Sequence, residues 1–402
     1  MWSPQVSLGQ ALFVLSDALD LVGVDDVLHG KRVAWLARNI VQGEADDALV
    51  RDAHNVSLVH DCGVSSTSHH QRLVAEVTTA DDHSAAGARL LGRFGPLAHL
   101  ADVVHYHHTP WPQLTGVEPR TARLANLVFL ADRIDVLQAK AAPATAAELR
   151  RLVEDRLLGP WAHLFADDLM DAARGVLADD ETLDVLRSSC RELFLYPGED
   201  QTHQLTSTEA RGLALLFAQA VDGKSAFTAR HSSGVAAVSL YLAEASGQLR
   251  SSPAALEIAA LLHDLGKLRV PDEVLDKPGA LSPAERDVIR AHAGESRDIL
   301  GRITGFDDIA SIAGMHHEFL DGTGYPLGLV AEQIPFEAQV VTVADIFQAL
   351  AQDRPYRRAM ALGDVLAVLD ELAGSGKVNA SLVRILREDS AKAWALARIG
   401  ER

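Results

Sequence analysis

The amino-acid sequence predicts an all-α protein built from two tandem helical domains of one kind, joined by a helical linker. Three observations lead to this prediction. Apolar residues recur at helical spacing in both halves, no run of alternating apolar and polar residues indicates a strand, and one ordered series of histidines and aspartates occurs twice. A chain of 402 residues has the length for two or three domains.

The helices can be placed from their apolar faces and their end signals. Val235, Val238 and Leu242 recur at the spacing of an amphipathic helix, and a segment of the first half has the same pattern. The segment 281–285, Leu-Ser-Pro-Ala-Glu, combines a serine N-cap, a proline at the first helical position and a glutamate at the third. It therefore predicts the start of a helix.

The repeated series has five steps in each half. Its members are His29, His60-Asp61, His83, His107-His108 and Asp132 in the first half, and His231, His263-Asp264, His292, His316-His317 and Asp345 in the second. Successive intervals are 31, 23, 24 and 25 residues in the first series and 32, 29, 24 and 29 in the second. This agreement indicates duplication of a whole domain, with domains over 1–140 and 201–402. The segment 141–200, poor in Gly and Ser, is predicted to be a helical connector.

Charge and composition exclude several classes of protein. With 55 acidic and 37 basic residues the net charge is −18, so the surface repels a nucleic-acid polymer. No apolar stretch approaches the roughly 18 residues of a membrane helix, and the first residues lack the features of a secretion signal. We therefore expect a cytoplasmic protein without a membrane partner. Cys62 and Cys190 give no disulfide framework, and Cys62 is expected in the core.

Imidazoles and carboxylates in this order are typical of metal sites. Each series offers five histidines and two aspartates, more donors than one ion can take while leaving room for a substrate. An aspartate beside a histidine can serve two neighbouring ions, because a carboxylate has two oxygens. Mixed nitrogen and oxygen donors favour Fe or Mn, with Zn as an alternative, over Mg or Ca. Two such ions lower the pKa of a water between them and stabilise the charge of a phosphoester displacement.

Further motifs surround the second series. They are Leu261-Leu262-His263-Asp264-Leu265-Gly266-Lys267, Lys277-Pro278-Gly279, His316-His317-Glu318, Asp321-Gly322-Thr323-Gly324-Tyr325-Pro326 and Arg354-Pro355-Tyr356-Arg357. In this order, the segment 224–360 resembles an HD-GYP domain, a bacterial domain of the HD superfamily that hydrolyses cyclic di-GMP. The first half is similar to a degenerate HD domain. The resemblance implies two tandem HD-type helical domains, the first regulatory and the second catalytic.

The resemblance also implies a role for each matching residue. One metal ion would be held by His231, His263, Asp264 and Asp345, and the other by His292, His316 and His317, with Asp264 as the bridge. Lys267 would contact the scissile phosphate, so Asp264 and Lys267 are the expected catalytic residues. The expected substrate-binding residues are Lys267, Gly322, Gly324, Tyr325, Pro326, Arg354 and Arg357. A second metal site in the first domain would use His29, His60, Asp61, His83, His107, His108 and Asp132.

Both halves depart from the family pattern. Phe227 stands where trinuclear members carry a glutamate, which predicts two ions rather than three, and Gln348 stands where an aspartate is usual. In the first half Val64 replaces the lysine of the HDxGK motif, 109–112 replaces the GYP loop and 133–136 replaces the RPYR motif. This selective loss of phosphate-binding residues predicts a first domain that can hold metal without catalysis.

Several residues of the first half lie beside the series. Asp25 is four residues before His29, where the extra acidic ligand of the family would be. Lys31 and Arg32 are predicted to form an exposed helix face. Five histidines have no counterpart in the second half and are expected to be solvated or structural: His54, His69, His70, His99 and His105.

Three functions remain open from the sequence. The first is a metal-dependent phosphodiesterase that converts cyclic di-GMP to linear pGpG, GMP or both. The second is a phosphohydrolase of another, mixed cyclic dinucleotide. The third is a non-catalytic scaffold that senses a nucleotide or a metal, although Lys267 and Arg354 argue against it because a receptor needs no leaving-group environment. A homodimer or a signalling protein is the expected macromolecular partner.

Overall fold

The structure is a computed structural model, and the residues it describes are 6–23, 28–64, 66, 82–143, 145–188, 190, 194, 203–224, 231–353 and 358–399. Over these residues the protein has nineteen α-helices and no β-strand, and Asp321 pairs with Val330 in an isolated antiparallel bridge. The all-α prediction is therefore confirmed. The chain divides into two compact units, Ser7–His203 and Gln204–Arg402, and the second also includes Val6.

The described part of the first unit contains nine helices. They are α1 (Leu8–Asp20), α2 (His29–Val41), α3 (Asp47–Leu58), α4 (Asp82–Leu91), α5 (Ala101–Tyr106), α6 (Pro119–Ala141), α7 (Ala146–Val153), α8 (Asp167–Leu177) and α9 (Asp180–Leu186). Helix α2 is central, because it packs against α1, α3, α6 and α8. Cys62 is buried beyond the end of α3, as predicted.

The prediction that Lys31 and Arg32 form an exposed face is wrong. Lys31 is fully buried, and its Nζ donates to Asp17 Oδ1 at 2.5 Å and to Ser16 Oγ at 2.9 Å. Arg32 is also buried and donates from Nε and Nη2 to Asp135, at 2.5 and 3.0 Å. Carboxylates from α1 and α6 therefore compensate both buried cations, and their distance along the chain hides this pairing from the sequence.

The helices predicted as a connector over 141–200 belong to the first unit. Helix α7 packs against α6, and α8 packs against α2. Asn126, a buried residue of α6, donates from Nδ2 to the Leu164 carbonyl at 3.0 Å and accepts from the Ala166 nitrogen at 2.9 Å. This amide fixes the segment before α8 to the helix that carries Asp132.

The described part of the second unit contains ten helices. They are α10 (Ser207–Asp222), α11 (His231–Ser246), α12 (Pro253–Leu262), α13 (Asp272–Leu275), α14 (Pro283–Leu300), α15 (Asp307–Gly314), α16 (Phe336–Ala351), α17 (Leu362–Gly374), α18 (Ala380–Glu388) and α19 (Ser390–Ala397). Helix α11 is central here and packs against α12, α16, α18 and α19.

The start of α14 confirms the helix signal predicted over 281–285. Ser282 Oγ accepts from the Glu285 nitrogen at 3.3 Å, and Glu285 Oε2 accepts from the Ser282 nitrogen at 2.7 Å. These two bonds satisfy amide groups at the helix start that have no partner within the helix. None of the described helices is long and apolar enough to span a bilayer.

Candidate metal centre and active site

In the second unit, helix ends and helix faces bring seven donor residues together. The second-unit cluster consists of His231 at the start of α11, His263 and Asp264 after the end of α12, His292 within α14, His316 and His317 after α15, and Asp345 within α16. Because α12 ends at Leu262, the adjacent His263 and Asp264 are not held about 100° apart, as they would be on a regular helix. Both side chains therefore reach the same cluster.

Asp264 stands between two pairs of histidines. Its Oδ2 atom lies 3.4 Å from His231 Nε2 and 3.3 Å from His263 Nε2. Its Oδ1 atom lies 3.2 Å from His292 Nε2 and 3.7 Å from His316 Nε2. Each carboxylate oxygen thus faces its own pair of imidazoles, which is the arrangement required of a carboxylate that bridges two cations.

Asp345 contributes to both sides of the cluster. Its Oδ1 atom lies 3.2 Å from His231 Nε2 and 4.0 Å from His263 Nε2, and its Oδ2 atom lies 3.9 Å from His317 Nδ1. Three groups have donor atoms all within 4.8 Å of one another: His231, His263 and Asp264; His292, His316 and His317; and His263, His316 and Asp345.

Hydrogen bonds on the far side of the rings determine which nitrogen faces the cluster. Nδ1 of His263, His292 and His316 donates to the carbonyl oxygen three residues earlier, at 2.7, 2.5 and 2.6 Å. Nδ1 of His231 donates to Gln348 Oε1 at 2.5 Å. With Nδ1 protonated, a neutral imidazole presents the lone pair of Nε2, the form in which histidine binds metal. Gln348 therefore orients His231 where the family usually has an aspartate.

Burial and neighbouring charges set the protonation state of the cluster. Burial alone would raise the pKa of Asp264, but the charges of His263 and Lys267 and the hydrogen bonds from His231 and His263 together hold the pKa well below its usual value. The pKa of Asp345 is also held well below its usual value, because the hydrogen bond from His231 and the charges of His231, His263 and His317 together outweigh its burial. Burial lowers the pKa of His317 to about 3. Ionised carboxylates with neutral imidazoles are the state that metal binding requires.

The donor set fits a pair of divalent cations. His263 Nε2 and Asp264 Oδ1 are buried and have no hydrogen-bond partner among the described residues. A buried polar atom left unsatisfied costs roughly 1–3 kcal/mol, which a bound cation would remove. Imidazoles combined with carboxylates suit transition metals such as Fe, Mn or Zn.

Lys267 lies beside the carboxylate of Asp264. It belongs to the turn Leu265–Arg269 that follows Asp264, and its Nζ atom lies 2.5 Å from Asp264 Oδ2. The side chain retains 17% exposure, so the ammonium group sits at the boundary between the cluster and solvent. The turn requires Gly266, because a Cβ there would lie 2.3 Å from the His292 carbonyl oxygen.

The loop predicted to bind substrate folds against the histidine pair. A Cβ on Gly324 would lie 2.6 Å from the His317 carbonyl oxygen, and Gly322 has a φ of +79° that favours glycine. The ring of Tyr325 lies 4.7 Å from the ring of His317, and a cis bond joins Tyr325 to Pro326. The loop therefore forms a wall next to one side of the cluster.

Two residues without a predicted role hold or face this loop. Glu318 is 2% exposed, and its carboxylate accepts from the backbone nitrogens of Leu327 at 2.6 Å and Leu329 at 2.9 Å. Arg290 is exposed, with its guanidinium carbon 5.2 Å from the centre of the Tyr325 ring. Two features of the sequence point to these residues: Glu318 directly follows the histidine pair, and Arg290 lies on the same helix as His292.

Six residues with predicted roles lie outside the described part of the chain. They are Arg354 and Arg357 as phosphate-binding residues, Phe227 at the position of the third-metal ligand, Asp25 as an extra acidic ligand, and His69 and His70 as solvated or structural histidines. Their roles stay predictions.

The first unit assembles its own series in the same way. The first-unit cluster consists of His29, His60, Asp61, His83, His107, His108 and Asp132. Asp61 Oδ2 lies 3.9 Å from His29 Nε2 and 3.5 Å from His60 Nε2. Asp61 Oδ1 lies 3.8 Å from His83 Nε2 and 3.6 Å from His107 Nε2. Asp61 therefore repeats the contacts of Asp264.

Buried donors make the first-unit cluster fit a cation as well. Asp132 Oδ1 lies 3.6 Å from His29 Nε2, and its Oδ2 lies 3.9 Å from His108 Nδ1. His60 Nε2, Asp61 Oδ1 and His108 Nε2 are buried without a hydrogen-bond partner among the described residues. Their desolvation is compensated if a metal ion binds.

Charged neighbours distinguish the two clusters. A buried valine, Val64, stands at the position of Lys267. Arg133 donates from Nε and Nη2 to Asp132 Oδ2, at 3.0 and 2.7 Å, whereas Ile346 follows the corresponding aspartate of the second unit. A guanidinium group therefore already engages one oxygen of a predicted ligand in the first unit.

An aspartate without a predicted role, half-buried in the first unit and buried in the second, lies nine residues before the first histidine of each series. Asp20 Oδ1 accepts from the Gly30 nitrogen at 3.0 Å, and Asp222 Oδ1 accepts from Ser232 Oγ at 2.9 Å. Burial raises the pKa of each carboxyl to about 6. In the sequence, these aspartates could be found because each lies at the same distance from the first histidine of its series.

Comparison with protein families finds two matches, both described as HD domain. One covers residues 28–139 and the other covers residues 215–382. A solved structure described as a cyclic GMP-AMP specific phosphodiesterase of Vibrio cholerae, V-cGAP3, covers 96% of this chain and 98% of its own, with a TM-score of 0.65 and 23% identity. That likeness supports the tandem fold.

Relatives in sequence match either nearly the whole chain or a part of it. The 3'3'-cGAMP-specific phosphodiesterase 1 of Vibrio cholerae is 34% identical over 412 residues, which are 98% of this chain and 94% of that protein. The cyclic di-GMP phosphodiesterase response regulator RpfG of Xanthomonas campestris is 44% identical over 151 residues, 37% of this chain and 38% of that protein. The protein thus belongs to the HD-domain phosphodiesterases of the HD-GYP type and carries a further HD domain in its first unit.

Proposed function

We propose that the second unit cleaves a cyclic dinucleotide, with the second-unit cluster as its catalytic centre. The observation that carries this proposal is the position of Asp264, whose two oxygens face separate pairs of imidazoles. Lys267 adds a cation beside the same carboxylate. A bridged pair of cations next to an ammonium group suits attack on a phosphodiester.

The charge of the cluster explains why the substrate needs cations to bind. Asp264 and Asp345 are ionised and His317 is neutral, so the carboxylates outweigh the charge of Lys267. The protein groups of the cluster by themselves therefore repel a phosphate. Divalent cations, when bound, reverse this charge, lower the pKa of a bound water and stabilise the charge that develops on the phosphate.

Side chains of the protein contact the phosphates and the bases of the substrate. Lys267 donates to a phosphate oxygen as negative charge grows there, and its position in a tight turn keeps the ammonium group close to the bridging carboxylate. Tyr325 and Arg290 form a wall against which a nucleotide base can stack. Gly322, Gly324 and Pro326 shape that wall, and Arg354 and Arg357 clamp the phosphates as a guanidinium fork can.

Two substrates are the candidates. The motif resemblance favours cyclic di-GMP, with pGpG, GMP or both as products. The relative that matches 98% of the chain is named for 3'3'-cGAMP, whereas RpfG, named for cyclic di-GMP, matches 37%. We therefore place the mixed cyclic dinucleotide first and cyclic di-GMP second.

The first unit has a regulatory role without catalysis in this proposal. Its donors have the geometry of the second-unit cluster, yet Val64 leaves no ammonium group beside Asp61. Arg133 also competes with a cation for Asp132. Such a domain can bind metal and hold its helices together, but it lacks a group to stabilise a developing phosphate charge.

Product analysis tests the proposal. Metal-loaded full-length protein is incubated with each cyclic dinucleotide, and the products are separated by chromatography. We expect linear dinucleotide or mononucleotide from the wild type and neither from Asp264→Ala. Recovery of the unchanged ligand bound to wild-type protein would contradict catalysis and support a non-catalytic scaffold.

A double variant separates the roles of the two units. For His60→Ala with Asp61→Ala we expect lower metal content and a lower melting temperature, with part of the hydrolysis retained. Complete loss of hydrolysis in a folded double variant would instead make the first-unit cluster catalytic.

A further inference from the structure

The two clusters group their donors differently. In the first unit, four donor atoms all lie within 4.8 Å of one another, and this group of four belongs to Asp61, His83, His107 and His108. In the second unit, the corresponding group consists of the three histidines His292, His316 and His317. Zinc sites with four protein ligands are closed and structural, whereas sites with three leave a position open for water or substrate. The group of four therefore has the composition of a structural site.

The distances within the group of four are close to those around a tetrahedral ion. His83 Nε2 lies 3.4 Å from His107 Nε2, and Asp61 Oδ1 lies 3.8 and 3.6 Å from these two nitrogens. Ligands about 2.0–2.1 Å from a tetrahedral Zn²⁺ ion are about 3.3–3.5 Å apart. Asp61 Oδ1 and His108 Nε2 are buried without a hydrogen-bond partner among the described residues, and a bound cation would compensate this cost.

Two buried arginines neutralise the other side of the first-unit cluster. Arg133 donates from Nε and Nη2 to Asp132 Oδ2, at 3.0 and 2.7 Å. Arg32 donates to Asp135, whose Oδ2 atom also accepts from His29 Nδ1 at 2.8 Å. Both carboxylates thus have a guanidinium counter-ion that keeps its proton. Two fixed positive charges in a buried environment would therefore repel a metal ion on this side.

Asp61 has no such counter-ion. Val64 stands at the position of Lys267, and no lysine or arginine of the described part of the chain forms an ion pair with Asp61. The second unit has the opposite arrangement, because the lysine is present and Gly234 and Ile346 stand at the positions of the two arginines. In the first unit, charge therefore favours a cation at the group of four and disfavours a second one beside the arginines.

We propose that the first unit binds a single structural Zn²⁺ ion through the group of four, and that no ion binds at His29, His60 and Asp132. The ion joins three helices of the first unit, because Asp61 follows α3, His83 lies in the first turn of α4 and the histidine pair follows α5. Binding of the ion therefore stabilises the fold of this unit. The proposal specifies the metal-binding role proposed above for the first unit and does not depend on hydrolysis by the second.

Zinc analysis of the full-length Asp264→Ala variant tests this site, because that substitution removes the carboxylate between the histidine pairs of the second unit. The protein is loaded with excess Zn²⁺, dialysed and analysed for zinc, and circular dichroism checks that the helices persist. Two further substitutions are compared in this background, His107→Ala within the group of four and His60→Ala outside it. They are matched, because both side chains are buried and each donates from Nδ1 to the carbonyl oxygen three residues earlier.

We expect about one Zn²⁺ ion per chain in Asp264→Ala, the same content after His60→Ala, and zinc binding at least about tenfold weaker after His107→Ala. Equal zinc binding after His60→Ala and His107→Ala, or no zinc in Asp264→Ala, would overturn the site. Loss of an ion after His60→Ala would overturn the single-ion assignment. An additional ion that persists after both substitutions belongs to the second unit, and it would contradict the two-ion centre proposed there while the loss after His107→Ala still supports this site.

Cobalt spectroscopy tests the coordination without a substitution in the first unit, so it also decides the case in which His107→Ala does not fold. Co²⁺ replaces Zn²⁺ in Asp264→Ala, and its visible absorption is intense in a tetrahedral site and weak in an octahedral one. We expect intense absorption, and a lower melting temperature once the ion is removed by a chelator. Weak absorption, or an unchanged melting temperature, would overturn the structural site.

Discussion

Replacing Lys267 by valine, the residue found at the corresponding position of the first unit, separates phosphate stabilisation from metal binding. The ammonium group lies 2.5 Å from the carboxylate of Asp264, and a protonated amine has no lone pair with which to bind a metal ion. A unit charge about 4 Å from a developing charge contributes up to about 4 kcal/mol at an effective dielectric constant of 20. Removal of a single preorganised donor costs about 2.7–4 kcal/mol, so we expect kcat to fall by roughly 10²–10³.

The assay combines turnover of 3'3'-cGAMP and cyclic di-GMP with metal analysis of the same sample. We expect Lys267→Val to keep the metal content of the wild type, and Lys392→Ala, which changes an exposed lysine of α19, to keep both activity and metal. Loss of metal together with activity would refute the reasoning, because Lys267 would then be a structural part of the cluster.

Three further predictions follow from single contacts. Gly324→Ala should lower kcat/KM at least about tenfold without loss of metal, because its new Cβ would lie 2.3 Å from a backbone nitrogen. Gly279→Ala, whose Cβ would have no atom within 4 Å, should leave kcat/KM unchanged. Equal kcat/KM values for the two variants would contradict this prediction. Arg133→Ile should strengthen metal binding by the first unit about tenfold, because a guanidinium no longer engages Asp132. The affinity is measured by competition with a chelator, and weaker binding by the variant would contradict the prediction. Burial lowers the pKa of His54 to about 3 from an ordinary 6.5. The free energy of unfolding is therefore highest above pH 6.5 and decreases as the pH falls, by about 2 kcal/mol between pH 7.5 and 5. Thermal unfolding of His54→Gln should show less of this decrease, and an identical decrease would contradict the prediction.

The clustering of the candidate metal donors could be predicted, because residue type and order along the chain carry that information. Histidines and aspartates in one repeated series need only a fold that brings the helix ends together, and the structure provides it in both units. The helix start at Ser282 could also be predicted from the sequence, since a capping box involves residues that are close along the chain.

Burial of charge could not be predicted in this way. Lys31 and Arg32 have the pattern of an exposed helix face, but Asp17 and Asp135 meet them inside the first unit. The partner of Arg32 lies 103 residues away along the chain, so no local pattern shows it.

The packing of the 141–200 segment could not be predicted from the sequence either. Its composition predicts helices but does not show what they pack against. The structure places α7, α8 and α9 within the first unit, and the amide of Asn126 fixes the segment before α8. That tertiary contact joins residues about 40 positions apart.

Elemental analysis of Asp264→Ala against the wild type tests most directly that this carboxylate bridges two ions. Each of its oxygens faces a separate pair of imidazoles, so we predict a loss of about two metal ions per chain and no measurable hydrolysis. Asp298→Ala, which changes an exposed aspartate of α14, should keep both. Loss of a single ion, or activity of Asp264→Ala above about a tenth of the wild type, would contradict the two-ion centre.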